Sequence, residues 1–549
     1  MEKKKLRIAK IISTAIILCT ILGIVLMHSY FNLQYELQGP SENWGRDITI
    51  KEMVVNKKAP SFFLTDNSAD MLIIDGNKME NVIIDRSTAG MTTSPVNIPG
   101  AVPENVTQLN WNKDFVVWME NFDLFYSRLN SDGTYSEKQL IKEAVKQFQV
   151  IKNSEAYLLL VAGNNEIVMY EILGDSVKQA GAAYPVQNLR GASAVCSKDG
   201  KVHIAALASD NDILYPIKYI TYESTNWTLI TEKVERYLSR AWKISDIEIG
   251  IDDEDVYIFY QLGKWDTHGM SVKLLYTSTP IGGIGNEMVF DNLNVLPEDK
   301  GRGSAIIFEP VCVKVQGEKL KAAVIRDSID YKGNDGLAVF LMTFEDGNVE
   351  TAVKAVKEKS WPSNMAIDAI GDDIGIAFLD TAGKGNSEIL YAESSKSFIK
   401  AASSGRPIDY LYAILNAIPS YITGTLIGLV RALVFLPAVF WIIFVEVFEI
   451  RGLRRRPDIV VGVAIVIHAV TKLFTMGNYY TKSAIKLMPD ILKFSHAQYF
   501  YGVLILGMSL LITALVKNSR KDMHHMVEYL VFAASDIIIT TLLYTAYFL

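Results

Sequence analysis

Residues 156–170 read Ala156-Tyr-Leu-Leu-Leu-Val161-Ala-Gly-Asn-Asn-Glu166-Ile-Val-Met-Tyr170. A short apolar run meets a Gly-Asn-Asn turn, and a second apolar run follows and closes on an aromatic. Each run is too short for a helix of ordinary length, and the turn residues between them favour a reversal, so the stretch reads as two paired strands. The same phrase recurs on both sides. Asp114–Trp118 precedes Asp123–Tyr126, Lys201–Ala205 precedes Asp212–Tyr215, and Asp255–Tyr260 precedes Lys273–Tyr276. Further on, Lys321–Ile325 precedes Leu337–Phe340, and Asp373–Phe378 precedes Glu388–Tyr391. A weaker first copy is Met71–Ile74 with Val82–Ile84.

The closing aromatics, Tyr126, Tyr170, Tyr215, Tyr276, Phe340 and Tyr391, fall 44, 45, 61, 64 and 51 residues apart. Units of about 40–60 residues with several strands each point to radial repetition, because one small sheet cannot bury both faces alone. Residues 45–402 therefore read as an all-β domain resembling the β-propeller class, with six to eight blades. A pair of β-sandwiches is the competing arrangement. Ile48–Val55 is strand-like and is expected to complete the last blade and close the ring, which removes exposed edges. The tryptophan-aspartate signature of the best-known propeller repeat is absent. Ser131–Ser136 is similar to the Asp-containing turn of sialidase-like propellers, but it occurs once.

The two ends differ from this middle. Residues 2–10 carry five basic side chains, and an uncharged run extends from Ile11 to Met27 without a small-residue cleavage site. That pattern predicts a basic cytoplasmic tail with a signal-anchor helix over 1–29, then a linker over 30–44. Residues 425–549 read as a helical membrane domain of about four spans, at 425–446, 458–476, 498–516 and 526–548, each near the ~20 residues that cross a bilayer. Arginine-rich 451–456 and basic 517–521 join spans and are expected in the cytoplasm. The middle domain then lies outside, in a multi-pass protein of the cell membrane. Residues 403–424, with three tyrosines and Pro419, read as an interfacial segment, with a re-entrant hairpin over 408–422 as the alternative. Pro437 is expected to kink its helix.

Charge follows the same division. Residues 30–405 hold 36 Lys plus Arg against 52 Asp plus Glu, a net of 36 − 52 = −16. An acidic domain repels phosphate backbones, which excludes nucleic acid as a partner. Cys196 and Cys312 lie in separate strands and read as unpaired core residues, with a disulfide in an oxidising compartment as the alternative. Asp252–Asp255 reads as a solvated turn, because four consecutive acids point in different directions. Asn105 and Asn226 begin Asn-x-Thr triplets, which matter only in a eukaryotic secretory route. No cofactor or metal site is expected.

Two groups of candidate site residues remain. Trp265, Asp266 and His268 lie in a turn-rich stretch that reads as a ligand-binding loop. Arg431, His468, Lys472 and Asp536 fall within the apolar segments, where ionisable groups are paired or functional. With ~1.5 Å rise per residue, His468 and Asp536 sit at similar depth. The sequence lacks a recognisable nucleophile–base pair. It reads as a membrane-anchored binding or scaffolding protein, with a protein, peptide or glycan as partner and the lipid bilayer around its helices. A component of a transport or secretion complex and a surface hydrolase of glycans or peptides are the alternatives.

Overall fold

The computed structural model describes residues 2–52, 54, 58–153, 156–174, 176–210, 213–237, 242–266, 269–281, 283, 287–293, 307–314, 319–329, 335–381, 387–405, 407, 409–415, 418, 422, 432–481, 484–485, 488–519, 523–544 and 547. The chain divides into two units. One comprises 38–330 and 335–404, and the other comprises 1–37, 331–334 and 405–549.

The first unit is a seven-bladed propeller. Each of its seven antiparallel sheets carries a path of four strands. The first strands of the blades, Ser61–Leu64, Val106–Trp111, Gln147–Asn153, Leu189–Cys196, Trp242–Ile251, Ile307–Lys314 and Pro362–Ile370, touch one another in sequence around a closed circle. They are the inner strands. The apolar pairs found by sequence are the second and third strands of every blade, as Ala156–Ala162 and Glu166–Leu173 show in the third. Phe115–Glu120 and Val202–Ala208 are buried along their whole length. Blade packs on blade, so both faces of these central strands are covered and a continuous apolar run replaces alternation. Seven apolar clusters fill the seven interfaces between neighbouring blades.

Ring closure uses the N-terminal strand Ile48–Lys51. It pairs antiparallel with Ser387–Glu393, Ile48 opposite Tyr391, and so becomes the outer strand of blade seven. This is shorter than the expected 48–55. Buried Arg86 of blade one reaches Glu393 at 2.6 Å and Asp373 at 2.5 Å, tying the first blade to the last. Cys196 and Cys312 are free thiols on the inner strands of blades four and six.

The second unit is helical. Its N-terminal helix runs from Glu2 to Leu37, so the helix extends through half of the expected linker at 30–44. Helices Leu436–Val447, Pro457–Thr475, Ala497–Ser519 and His525–Tyr544 follow. Three helices are long and apolar enough to cross a membrane, against about four expected: Pro457–Tyr479, Ala497–Asn518 and His525–Tyr544. The expected span 425–446 lies partly outside the described residues, and its described part contributes the 12-residue helix Leu436–Val447. Pro437 does not kink this helix. It sits in the first turn, after a 3-10 turn at Ala432–Phe435, where a missing N–H leaves no helical bond unmade. Part of the expected interfacial segment 403–424 lies outside the described residues.

Apolar side chains fill the interior of this unit and also cover its outside. Phe440, Val466, Phe474 and Val503 face outward, with Phe474 87% exposed, while His468, Lys472 and Asp536 are buried.

Candidate functional site

The propeller presents one group of polar side chains at its axis. Bulges interrupt the inner strand of five blades, between Val106 and Gln108, Leu189 and Gly191, Ile244 and Asp246, Phe308 and Val311, and Ser363 and Ala366. A bulge takes residues out of the ladder and bends the strand. Glu309 and Asn364, inside two of these bulges, adopt φ of +50°. Each inner strand is also the end strand of its sheet, so its N–H groups on the axis side have no ladder partner and need acceptors, and the neighbouring blade supplies them.

The result is a belt around the ring. Ser61 Oγ accepts the Trp111 N–H at 2.7 Å, Gln108 Oε1 that of Phe148 at 3.3 Å, and Gln149 Oε1 that of Ala194 at 2.7 Å. Ser193 Oγ accepts Ile249 N–H at 3.3 Å, and Glu248 Oε1 accepts Cys312 N–H at 3.4 Å. Glu309 Oε2 accepts Asn364 N–H at 2.8 Å, and Asp368 Oδ2 accepts Leu64 N–H at 2.7 Å. Every junction between neighbouring blades is bridged, always from one inner strand to the next. The acceptors are hydroxyls and amides through blades one to four, then carboxyls in blades five to seven.

Those carboxyls are perturbed. Burial pushes the Glu248 carboxyl up to about 8, and the charge of Asp246 pushes it the same way. Burial raises Glu309 to about 7, again aided by Asp246, against the lowering effect of the Asn364 N–H. Burial raises Asp246 to about 6 and lifts Asp368 above the usual carboxylate range. Asp246 nevertheless reaches water while protein surrounds it, which is the condition of a side chain in a lumen. Among the described residues, the groups that shift Asp246, Glu248 and Glu309 include no cation. Near neutral pH this set contains protonated and ionised carboxyls side by side, able to donate and accept protons or to receive a positive charge.

Sequence reasoning missed these four acids. A signal existed in Ile244-Ser-Asp-Ile-Glu-Ile-Gly-Ile251, where Asp246 and Glu248 alternate with isoleucines before the apolar run of blade five. The acidic turn 252–255 also differs from expectation. Asp252 is buried, and its carboxylate accepts the Glu254 and Asp255 N–H groups and the Tyr257 hydroxyl, the last at 2.6 Å.

The expected ligand loop is a hairpin instead. Strand Asp255–Asp266 pairs with Gly269–Pro280 up to Trp265 opposite Met270 and Asp266 opposite Gly269. Gly263 is a strand residue opposite Val272, so the glycine did not mark a turn. His268 and the side chains of Trp265 and Asp266 lie outside the described residues.

Within the helical unit, the structure brings His468, Lys472 and Asp536 together. Lys472 Nζ donates to Asp536 Oδ1 at 2.5 Å and to Thr540 Oγ1 at 2.8 Å. His468 Nε2 meets Asp536 Oδ2 at 3.1 Å, and its Nδ1 meets the Tyr529 hydroxyl at 3.1 Å. That hydroxyl donates to the Phe435 carbonyl at 3.2 Å. Two i,i+4 pairs, His468 with Lys472 and Asp536 with Thr540, lie on facing helices, so one turn of each presents the whole cluster. Arg431 lies outside the described residues.

No protein-family model matches the chain, and no curated protein matches its sequence. Among solved structures, an ulvan lyase of a polysaccharide lyase family is similar at 10% identity and a TM-score of 0.43, over 66% of this chain and 99% of that one. A chain from an S. cerevisiae assembly of dbp5, nup159 and gle1 is similar at 12% identity and 0.40, over 64% and 96%. The Penicillium chrysogenum alpha-L-arabinanase is similar at 14% identity and 0.35, over 51% and 88%. Likenesses at this level concern the fold alone.

Proposed function

We propose that the chain is a membrane-anchored binding protein whose propeller receives a positively charged ligand, a basic peptide segment of a surface or membrane partner, at the acidic arc of its lumen. The observation that carries this reading is the trio Asp246, Glu248 and Glu309, exposed at Asp246 and half-buried at the other two, with no cation among the described groups that shift it. Carboxyls held this far above their ordinary values are disfavoured as anions, and an incoming cation relieves them. The net charge of −16 over residues 30–405 would steer such a ligand toward the domain. The helical unit, with apolar side chains outward, would hold the protein in the cell membrane with the propeller outside.

A second reading is a glycan-active surface enzyme. It is favoured by the same acids, because carboxyls at about 6, 7 and 8 side by side supply the acid and base that glycoside cleavage requires. One experiment separates the two. Full-length protein in detergent is presented with lysine- and arginine-rich peptides and with neutral glycans, alongside Asp246→Asn and Glu309→Gln. Peptide binding that both substitutions weaken at least tenfold supports the binding reading. Release of sugar products that both substitutions abolish supports the enzyme. Equal behaviour of parent and variants would discard the lumen as the site.

A further inference from the structure

We propose that Glu446, His524 and His525 form a binding site for a divalent transition-metal ion at one end of the helical unit. Glu446 lies in the last turn of helix Leu436–Val447, His525 opens helix His525–Tyr544, and His524 immediately precedes it. One ligand atom from each of the three lies within 4.8 Å of the others, and the centroids of the two imidazole rings lie 4.1 Å apart with the planes tilted by 31°. Residues 78 positions apart in the chain, 446 and 524, thus converge on one point.

The donor set selects the ion. Two imidazoles and one carboxylate offer too few oxygens for calcium or magnesium, which take six or more. Nitrogen with a single carboxylate suits zinc and its neighbours. Three protein ligands leave a fourth position for water. Glu446 Oε1 and His525 Nε2 stand 2.6 Å apart, as hydrogen-bonded partners do. Two ligands on one zinc stand about 3.3 Å apart, given Zn–N and Zn–O bonds of ~2.0–2.1 Å. Metal entry therefore replaces the shared proton and parts the two atoms by less than ~1 Å. His524 Nδ1 accepts the Met526 N–H at 3.3 Å, a long bond that fixes the ring and that coordination through Nε2 would release. The bound ion would clasp the ends of two helices that are distant in sequence.

The test uses tag-free full-length protein in detergent, titrated with Co²⁺ as an absorbing probe and then with Zn²⁺ in competition. The expected result is one Co²⁺ per chain with visible absorption bands, displaced by Zn²⁺. His524→Ala should lower the affinity at least tenfold. His524 is exposed and takes no part in the Glu446–His525 pair, so this variant should melt at the same temperature as the parent without metal. Failure of the parent to take up Co²⁺ stoichiometrically would overturn the proposal. So would unchanged affinity in His524→Ala, which would leave Glu446 and His525 as an ion pair only.

Discussion

Glu248 in the propeller and Asp536 in the helical unit are both carboxyls withdrawn from bulk water, and they find opposite partners. Glu248 accepts a neighbouring blade's N–H at 3.4 Å and the Ser193 hydroxyl at 2.9 Å. Asp536 takes the Lys472 ammonium at 2.5 Å and the His468 imidazole at 3.1 Å. The difference follows from backbone geometry. An inner strand is the edge of its sheet and leaves N–H groups that can reach a side chain, whereas a helix consumes its own interior N–H groups. A carboxyl among apolar helices must therefore be met by another side chain, and a cation serves it best. The ring tolerates protonated acids, and the helices require ion pairs.

The largest expected effect breaks the helical side of this contrast. Lys472→Met leaves Asp536 buried with its ammonium partner gone and should destabilise the unit by about 3–5 kcal/mol. Lys472→Met combined with Asp536→Asn should recover most of that loss. Thermal unfolding in detergent measures both, and a double variant no better than the single would show that the pair does not act as a unit.

Next comes closure of the ring. Ile48 is buried opposite Tyr391, so Ile48→Ala should cost about 2–5 kcal/mol by cavity formation at the seam. Protease cleavage should speed up around blades one and seven first. Uniform loosening would indicate that the seam is no weaker than any other interface.

The lumen carboxyls should show their state through pH. Glu248 titrates near 8 in the folded ring against an ordinary value of 4.5. Between those values the folded protein holds a proton that the unfolded chain has lost. Stability should therefore be fully present below about 4.5 and fall as pH rises toward about 8. Glu309, at about 7, adds to the slope. Glu248→Gln, which mimics the protonated form, should match the parent below about pH 4.5 and exceed it by a growing margin up to about pH 8. Glu248→Ala leaves the Cys312 N–H without its acceptor and should cost about 1–3 kcal/mol at pH 4, where the parent carboxyl is protonated in both states. Denaturant melts across pH would detect a reversed slope, which would mean the acids are ionised and paired. The smallest effect is a control: Lys198→Ala removes the exposed end of a pair with Asp253 and should cost less than ~1 kcal/mol.

What could be read from sequence followed burial. The second and third strands of all seven blades announced themselves, because blade-on-blade packing makes them apolar on both faces. Outer strands such as Gly90–Val96, exposed along nearly their whole length, carry no such pattern. Inner strands hide for another reason: Gln108, Glu248 and Asp368 are chosen for the next blade's N–H groups, a partner some 40 residues or more away. His468, Lys472 and Asp536 were visible because charge stands out in an apolar run, and helical spacing placed them together. Asp246 and Glu309 were invisible as a group because strands of two different blades bring them into electrostatic range. The Gly263–Gly269 stretch misled because glycine served there as a strand residue.

All of this presumes that the apolar helices lie in lipid and the propeller in water beyond it. Cysteines placed at exposed Ser131, in a propeller turn, and at exposed Asn518, at the end of helix Ala497–Ser519, test that directly in a background without Cys19, Cys196 and Cys312. A membrane-impermeant thiol reagent applied to intact cells should label Ser131→Cys at once and Asn518→Cys only after the membrane is opened. Labelling of Asn518→Cys in intact cells with Ser131→Cys protected would contradict the division of the chain between lipid and outer water.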